Sequence, residues 1–182
     1  HYSTRARSVG LGDSFAGVTA VSYRSSHTGE QLTSFDNGMS SLTANTAVAT
    51  DSENFMEGLG AARITISSSQ AAASDVAAST FSAVDLSFYD RIEVWVNSNV
   101  ATADTAQLSL KLLAGASVKE TMVLPSLSAD SFTHLTLPLS NPEIDTAITS
   151  VRLSTGSSGG SSKTITLDDL RAVRKNTFKW ER

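Results

Sequence analysis

The sequence predicts an all-β fold, an antiparallel β-sandwich with an N-terminal extended arm. Three observations carry this. Several short runs alternate apolar and polar residues with the two-residue period of a half-buried strand. Glycine, proline, asparagine and serine clusters separate those runs at turn-like intervals. No stretch of the chain shows a convincing amphipathic helical period.

In chain order, residues 1–31 differ from the rest of the chain. Arg5 and Arg7 precede a glycine-rich run, and Phe15 to Tyr23 has the composition of one short strand. This segment is too small to bury its own core. It reads as an arm that packs on the main domain or on a neighbouring subunit; an ordered first strand of the same sandwich is the equal alternative. From residue 32 the pattern becomes regular, and the sandwich is expected to span 32–174. Leu32 to Asp36 reads as a strand that enters an Asn37-Gly38 turn, the pair that supplies the positive φ of a tight turn. Ala61 to Ile66 comes next as a strand. The alanine-rich segment from Gln70 to Ala78 reads as a loop or a poor edge strand. Tyr89 to Asn97 is the clearest strand: Ile92, Val94 and Val96 face one way, and Arg91, Glu93, Trp95 and Asn97 the other. Leu108, Leu110 and Leu112 mark the next strand, and Leu135, Leu137 and Leu139 the one after. Ile148 or Val151 with Leu153, and then Ile165 with Leu167, complete the set. Residues 175–182 form a tail. Pro125, Pro138 and Pro142 fall at strand ends, where a missing N–H is tolerated.

Composition narrows the function classes. The chain has 182 residues, enough for one domain with an arm. Ser and Thr make up roughly a quarter of it, and charged residues only 18%. A hydroxyl-rich, charge-poor surface points to a virion or extracellular setting. The net charge of −4 argues against nucleic acid, which demands a basic surface. Without cysteine there is no disulfide framework and no thiolate metal site. No apolar run approaches a membrane span, so no membrane insertion is expected.

An ordered set of short motifs then resembles the jelly-roll carbohydrate-binding modules and related galactose-binding-like domains. The set is Phe35-Asp36-Asn37-Gly38, Glu57-Gly58, Ala62 to Ile66, Asp85-Leu86-Ser87-Phe88-Tyr89-Asp90-Arg91-Ile92-Glu93-Val94-Trp95-Val96, and Ile165-Thr166-Leu167-Asp168-Asp169-Leu170. It covers residues 32–174. Such domains also occur in bacteriophage tails, baseplates and capsid decorations, and the arm favours that setting. The resemblance implies a jelly-roll sandwich and a structural calcium between the first and last strands. The matching positions are Asp36, Glu57 and Asp168, with Asp51 and Glu53 as further oxygen donors. Asp36 departs from the longer carboxylate usual at the first-strand position.

The residues offer one candidate binding face. If Ile92 and Val94 point inward, Glu93 and Trp95 share the outer face. The same alternation turns Arg63, Lys111, His134 and Arg152 outward. In one sheet, these six would join an aromatic platform to polar groups able to bind sugar hydroxyls. The plainer reading is a solvated face of cross-strand ion pairs. Catalysis is not expected. His134 has no visible triad partner, there is no Gly-x-Ser-x-Gly elbow, and Asp90, Glu93 and Asp104 carry no sign of a cleft. Phe15, Tyr23, Phe178 and Trp180 are expected to contact a partner, either other virion subunits or copies of the chain, since aromatics in an arm or tail tend to dock. The first expectation is a non-catalytic structural or adhesion module of a virion, with host surface glycan as a candidate ligand. The second is an accessory carbohydrate-binding module of a secreted polysaccharide-degrading enzyme.

Overall fold

The computed structural model describes residues 29–102, 108–156 and 162–174. Its strands are β1 (Gly29–Thr33), β2 (Ser40–Ser41), β3 (Thr46–Asp51), β4 (Ala61–Ile66), β5 (Asp75–Val84) and β6 (Arg91–Ser98), then β7 (Leu108–Ala114), β8 (Ser117–Val123), β9 (Thr133–Pro138), β10 (Ile148–Thr155) and β11 (Lys163–Val173). A 3₁₀ turn, Pro142–Ile144, lies between β9 and β10. The first sheet runs β3-β4-β11-β6-β9, with β1 also on β11. The second runs β2-β5-β10-β7-β8. All pairings between these strands are antiparallel, as the alternation predicts.

Each sheet turns one apolar face inward. Ile64, Ile92, Val94, Val96, Leu135, Leu137, Ile165 and Leu167 come from the first sheet; Leu108, Leu110, Leu112, Ile148, Val151 and Leu153 come from the second. All belong to one continuous core cluster. Burying each large aliphatic side chain contributes roughly 1.5–3 kcal/mol before the entropy of ordering is subtracted. The strand period alone would put Leu167 and Leu170 on opposite faces, because they are three residues apart. Both are fully buried. A bulge between Asp168 and Arg171 reconciles them: the register with β6 slips there, and Asp169 takes a left-handed φ of 44°.

Four strands depart from the sequence reading. β2, β3 and β8 carry few large apolar residues, and the alternation did not reveal them. β5 begins inside the segment expected to be a loop or a poor edge strand, yet it lies between β2 and β10. Val76 and Ala77 are its buried residues near the start, where small side chains suffice against the facing sheet. The sandwich also begins before residue 32, inside the segment expected to be an arm. Gly29, Glu30 and Gln31 already pair with Val173, Ala172 and Arg171 of the last strand. Phe15, Tyr23, Phe178 and Trp180 lie outside the described residues.

Candidate functional site

The six residues expected on one face do not share a face. Arg63, Glu93, Trp95 and His134 lie on β4, β6 and β9 of the first sheet, while Lys111 and Arg152 lie on β7 and β10 of the second. All six point outward, but the two groups are on opposite outer surfaces of the sandwich. The reason is that alternation reports which residues face the core, and both sheets have an outside.

On the first sheet, Trp95 is paired across the ladder with Asp168 on one side and His134 on the other. The Trp95 and His134 rings lie 4.6 Å apart, tilted by 49°. Glu93 accepts from Arg91 Nε at 3.0 Å and lies 3.8 Å from His134 Nε2. Arg63 belongs to a neighbouring row, opposite Thr166, which is itself opposite Asn97. Arg63 and Asn97, with Asn54 and Asn99, line a separate polar cavity of about 280 Å³.

On the second sheet, Lys111 and Arg152 are direct register partners. Both hold Asp75, at the start of β5. Lys111 Nζ donates to Oδ1 at 2.6 Å, and Arg152 donates to Oδ2 at 3.0 Å. Ser154 Oγ also donates to Oδ1. Burial alone would raise the Asp75 carboxyl; the bonds from Lys111, Ser154 and Arg152 outweigh it and hold it at about 2. Sequence spacing gave no signal for Asp75, because it is 36 residues from one partner and 77 from the other.

Beside this cluster a groove of about 630 Å³ crosses the β2, β5 and β10 part of the same surface. Ser40, Ser79, Thr80, Phe81, Ser150 and Arg152 contribute to its lining. The Asn37-Gly38 turn closes one end; Gly38 has a φ of +73° and donates its N–H to Phe35 O at 2.7 Å. The volume is in the range of small-molecule and oligomer sites, about 300–1,000 Å³.

The residues expected to hold calcium gather around one loop, residues 52–60. Asp36 Oδ1 accepts from the amides of Leu59 and Gly60 at 2.7 and 3.1 Å. Asp168 Oδ2 accepts from Met56 and Glu57 at 2.6 and 2.8 Å. The loop approaches so closely that a Cβ on Gly58 would sit 2.4 Å from Asp36 Oδ1. Asp168 is fully buried; burial raises its carboxyl, and the two amide bonds oppose that. Its Oδ1 is buried without a hydrogen-bond partner, which suits a cation. The expected trio does not close into a cage, however. Glu57 pairs with Arg171 at 3.8 Å, and among the described residues no group of three His, Cys, Asp or Glu could hold a metal. A calcium at Asp168 would take its other oxygens from backbone carbonyls and water.

Two more carboxyl groups meet inside the sandwich, beyond the reach of a substrate. Glu120 and Asp145 are 2% and 1% exposed. Glu120 accepts from the amides of Ser140 and Asn141 and from Ser140 Oγ. Burial, and then the neighbouring Glu120, push Asp145 up to about 6.

No known protein family matches the sequence, and no curated protein matches it either. Solved structures share the fold. One contains the N-terminal CBM22-1–GH10 modules of a Clostridium thermocellum endo-1,4-β-D-xylanase complexed with xylohexaose. It aligns with a TM-score of 0.55 and 18% identity, over 80% of this chain and 29% of that one. An exo-β-agarase aligns with a TM-score of 0.54 and 13% identity, over 81% of this chain and 25% of that one. A family 11 carbohydrate-binding module from Clostridium thermocellum, in complex with a β-1,3-1,4-mixed-linked tetrasaccharide, gives 0.51 and 13%, over 81% and 97%. At these identities the likeness establishes fold: the chain has the jelly-roll β-sandwich of carbohydrate-binding modules. It spans less than a third of the xylanase and of the agarase. Two of these three proteins are polysaccharide-degrading enzymes and the third is a carbohydrate-binding module; none of the three is a virion protein.

Proposed function

We propose that this chain is a non-catalytic carbohydrate-binding module that works outside the cell as part of a polysaccharide-degrading system. The groove on the second sheet is its binding site. The observation that carries this reading is the groove itself: an open channel across a sheet, lined on its outer face by Ser40, Thr80, Ser150 and Arg152, with Phe81 beside them. Hydroxyls and a guanidinium can bond sugar hydroxyls, and an aromatic edge offers apolar contact to a pyranose. The structural neighbours named above lend the virion setting no support.

The test is isothermal titration against a panel of soluble polysaccharides, with two variants on opposite surfaces. Thr80→Trp fills the groove and is expected to weaken binding at least about tenfold, some 1.4 kcal/mol, with the melting temperature retained. Trp95→Ala, on the other sheet, is expected to leave binding unchanged. The reverse pattern would move the site to the first sheet, and no binding to any glycan would remove the proposal.

A further inference from the structure

The charge of the groove deepens the proposed function, on which this inference rests. We propose that the groove selects acidic polysaccharide, with Arg152 receiving the carboxylate of a uronate residue.

The chain as a whole carries a net charge of −4. The groove does not share that sign. Among the described residues, Arg152 is the one charged group in its lining, and no carboxylate lines it. The acid that Arg152 does touch is Asp75, and it is already divided between two cations, Lys111 and Arg152, as well as Ser154. Two positive charges around one carboxylate leave one positive charge uncompensated. Asp75 stays ionised down to about pH 2, so this balance is constant over the working range of a protein.

Geometry adds to charge. Arg152 spends a single bond on Asp75, from one terminal nitrogen at 3.0 Å. A guanidinium has five N–H donors in a planar fork. The side chain is 31% exposed and lines the groove, so donors of the fork remain within reach of water there. A planar carboxylate is the shape that such a fork grips with two parallel bonds. Asp75 meanwhile anchors the guanidinium through that one nitrogen, which lowers the entropy lost on binding. Ser40 and Thr80, both exposed, then remain for the sugar hydroxyls. Phe81 is the groove's aromatic ring, and it also packs partly against the core. The lining is therefore better equipped for charge and hydroxyl recognition than for serial ring stacking.

The experiment compares four ligands on the intact chain by isothermal titration: polygalacturonate, the same polymer methyl-esterified, a sulfated polysaccharide, and a neutral β-glucan. The expected result is binding to polygalacturonate that weakens about tenfold or more on esterification, which removes the charge and needs no mutation. Arg152→Gln is expected to produce a loss of the same size, and Arg152→Lys an intermediate loss, because a lysine keeps the charge without the fork. Binding should also weaken in high salt. Equal affinity for the neutral glucan, unaffected by Arg152→Gln, would overturn the inference and leave the carbohydrate-binding function standing. A preference for the sulfated polymer would overturn the carboxylate assignment. Binding to none of the four, or to any other glycan, would overturn both.

Discussion

Replacing Asp75 by asparagine tests whether the cluster on the second sheet holds the fold as well as the groove. The carboxyl is lowered from 3.8 to about 2, despite the opposing effect of burial. That difference corresponds to about 2.4 kcal/mol at full ionisation. The side chain is 21% exposed, so water screens part of it, and a working figure is about 1–2 kcal/mol. The sign comes from the direction: a carboxyl depressed by folding stabilises the protein above its unfolded value of 3.8, and the contribution is lost as pH falls through about 2. Asp75→Asn should therefore be about 1–2 kcal/mol less stable than the wild type at pH 7. In a domain of this size that lowers the melting temperature by about 2–8 °C. The deficit should shrink toward zero between pH 4 and pH 2, where the wild type loses the same interaction. Urea denaturation of both proteins across that range reads the difference directly, and it cancels the other carboxylates. A deficit that stayed constant down to pH 2 would mean that Asp75 acts by shape or packing, not by charge.

The Glu120–Asp145 pair has the opposite sign. Asp145 is raised to about 6, so its contribution is present below 3.8 and lost as pH rises through 6. Asp145→Asn should make the protein more stable at pH 7.5 by roughly 1–3 kcal/mol, and the gain should vanish near pH 4; a variant less stable at every pH would refute the account. A structural calcium at Asp168 is our further proposal, supported by the unpartnered Oδ1. Calcium at about a hundredfold over its dissociation constant should then add about 2.7 kcal/mol to stability, a chelator should reverse it, and Asp168→Asn should abolish both effects. A melting temperature indifferent to calcium and chelator would end that proposal.

The inward half of the molecule was legible in the sequence because burial writes a two-residue period into the chain. Ile92, Val94 and Val96 are fully buried, and so are Leu108, Leu110 and Leu112. What the period does not encode is the layer. β6 pairs with β9 and β11, and β7 pairs with β8 and β10. Those pairings are set by long connections and by which apolar faces meet, and no local pattern records them. Trp95 and Arg152 therefore looked like neighbours when the core lies between them. Asp75 was hidden for a second reason. Its strand is built from alanine, serine and threonine, since the buried side of β5 needs only small side chains near its start. The sequence signal of a strand is the size of what it buries, and β5 buries little there.

That weakness in the signal bears on function. The strand that lines the groove together with β2 and β10 is the one whose outer face there carries only small side chains, Ala78 and Thr80, opposite Arg152 and Ser150. Large apolar residues there would have announced the strand and filled the groove. An open groove on a sheet requires side chains short enough to leave space and polar enough to face water or a sugar without a cost of desolvation. The composition that made β5 resemble a loop is the composition a hydroxyl-lined channel needs. The sequence feature with most bearing on binding is thus the alanine- and serine-rich stretch that leads into Phe81, not the conspicuous Trp95.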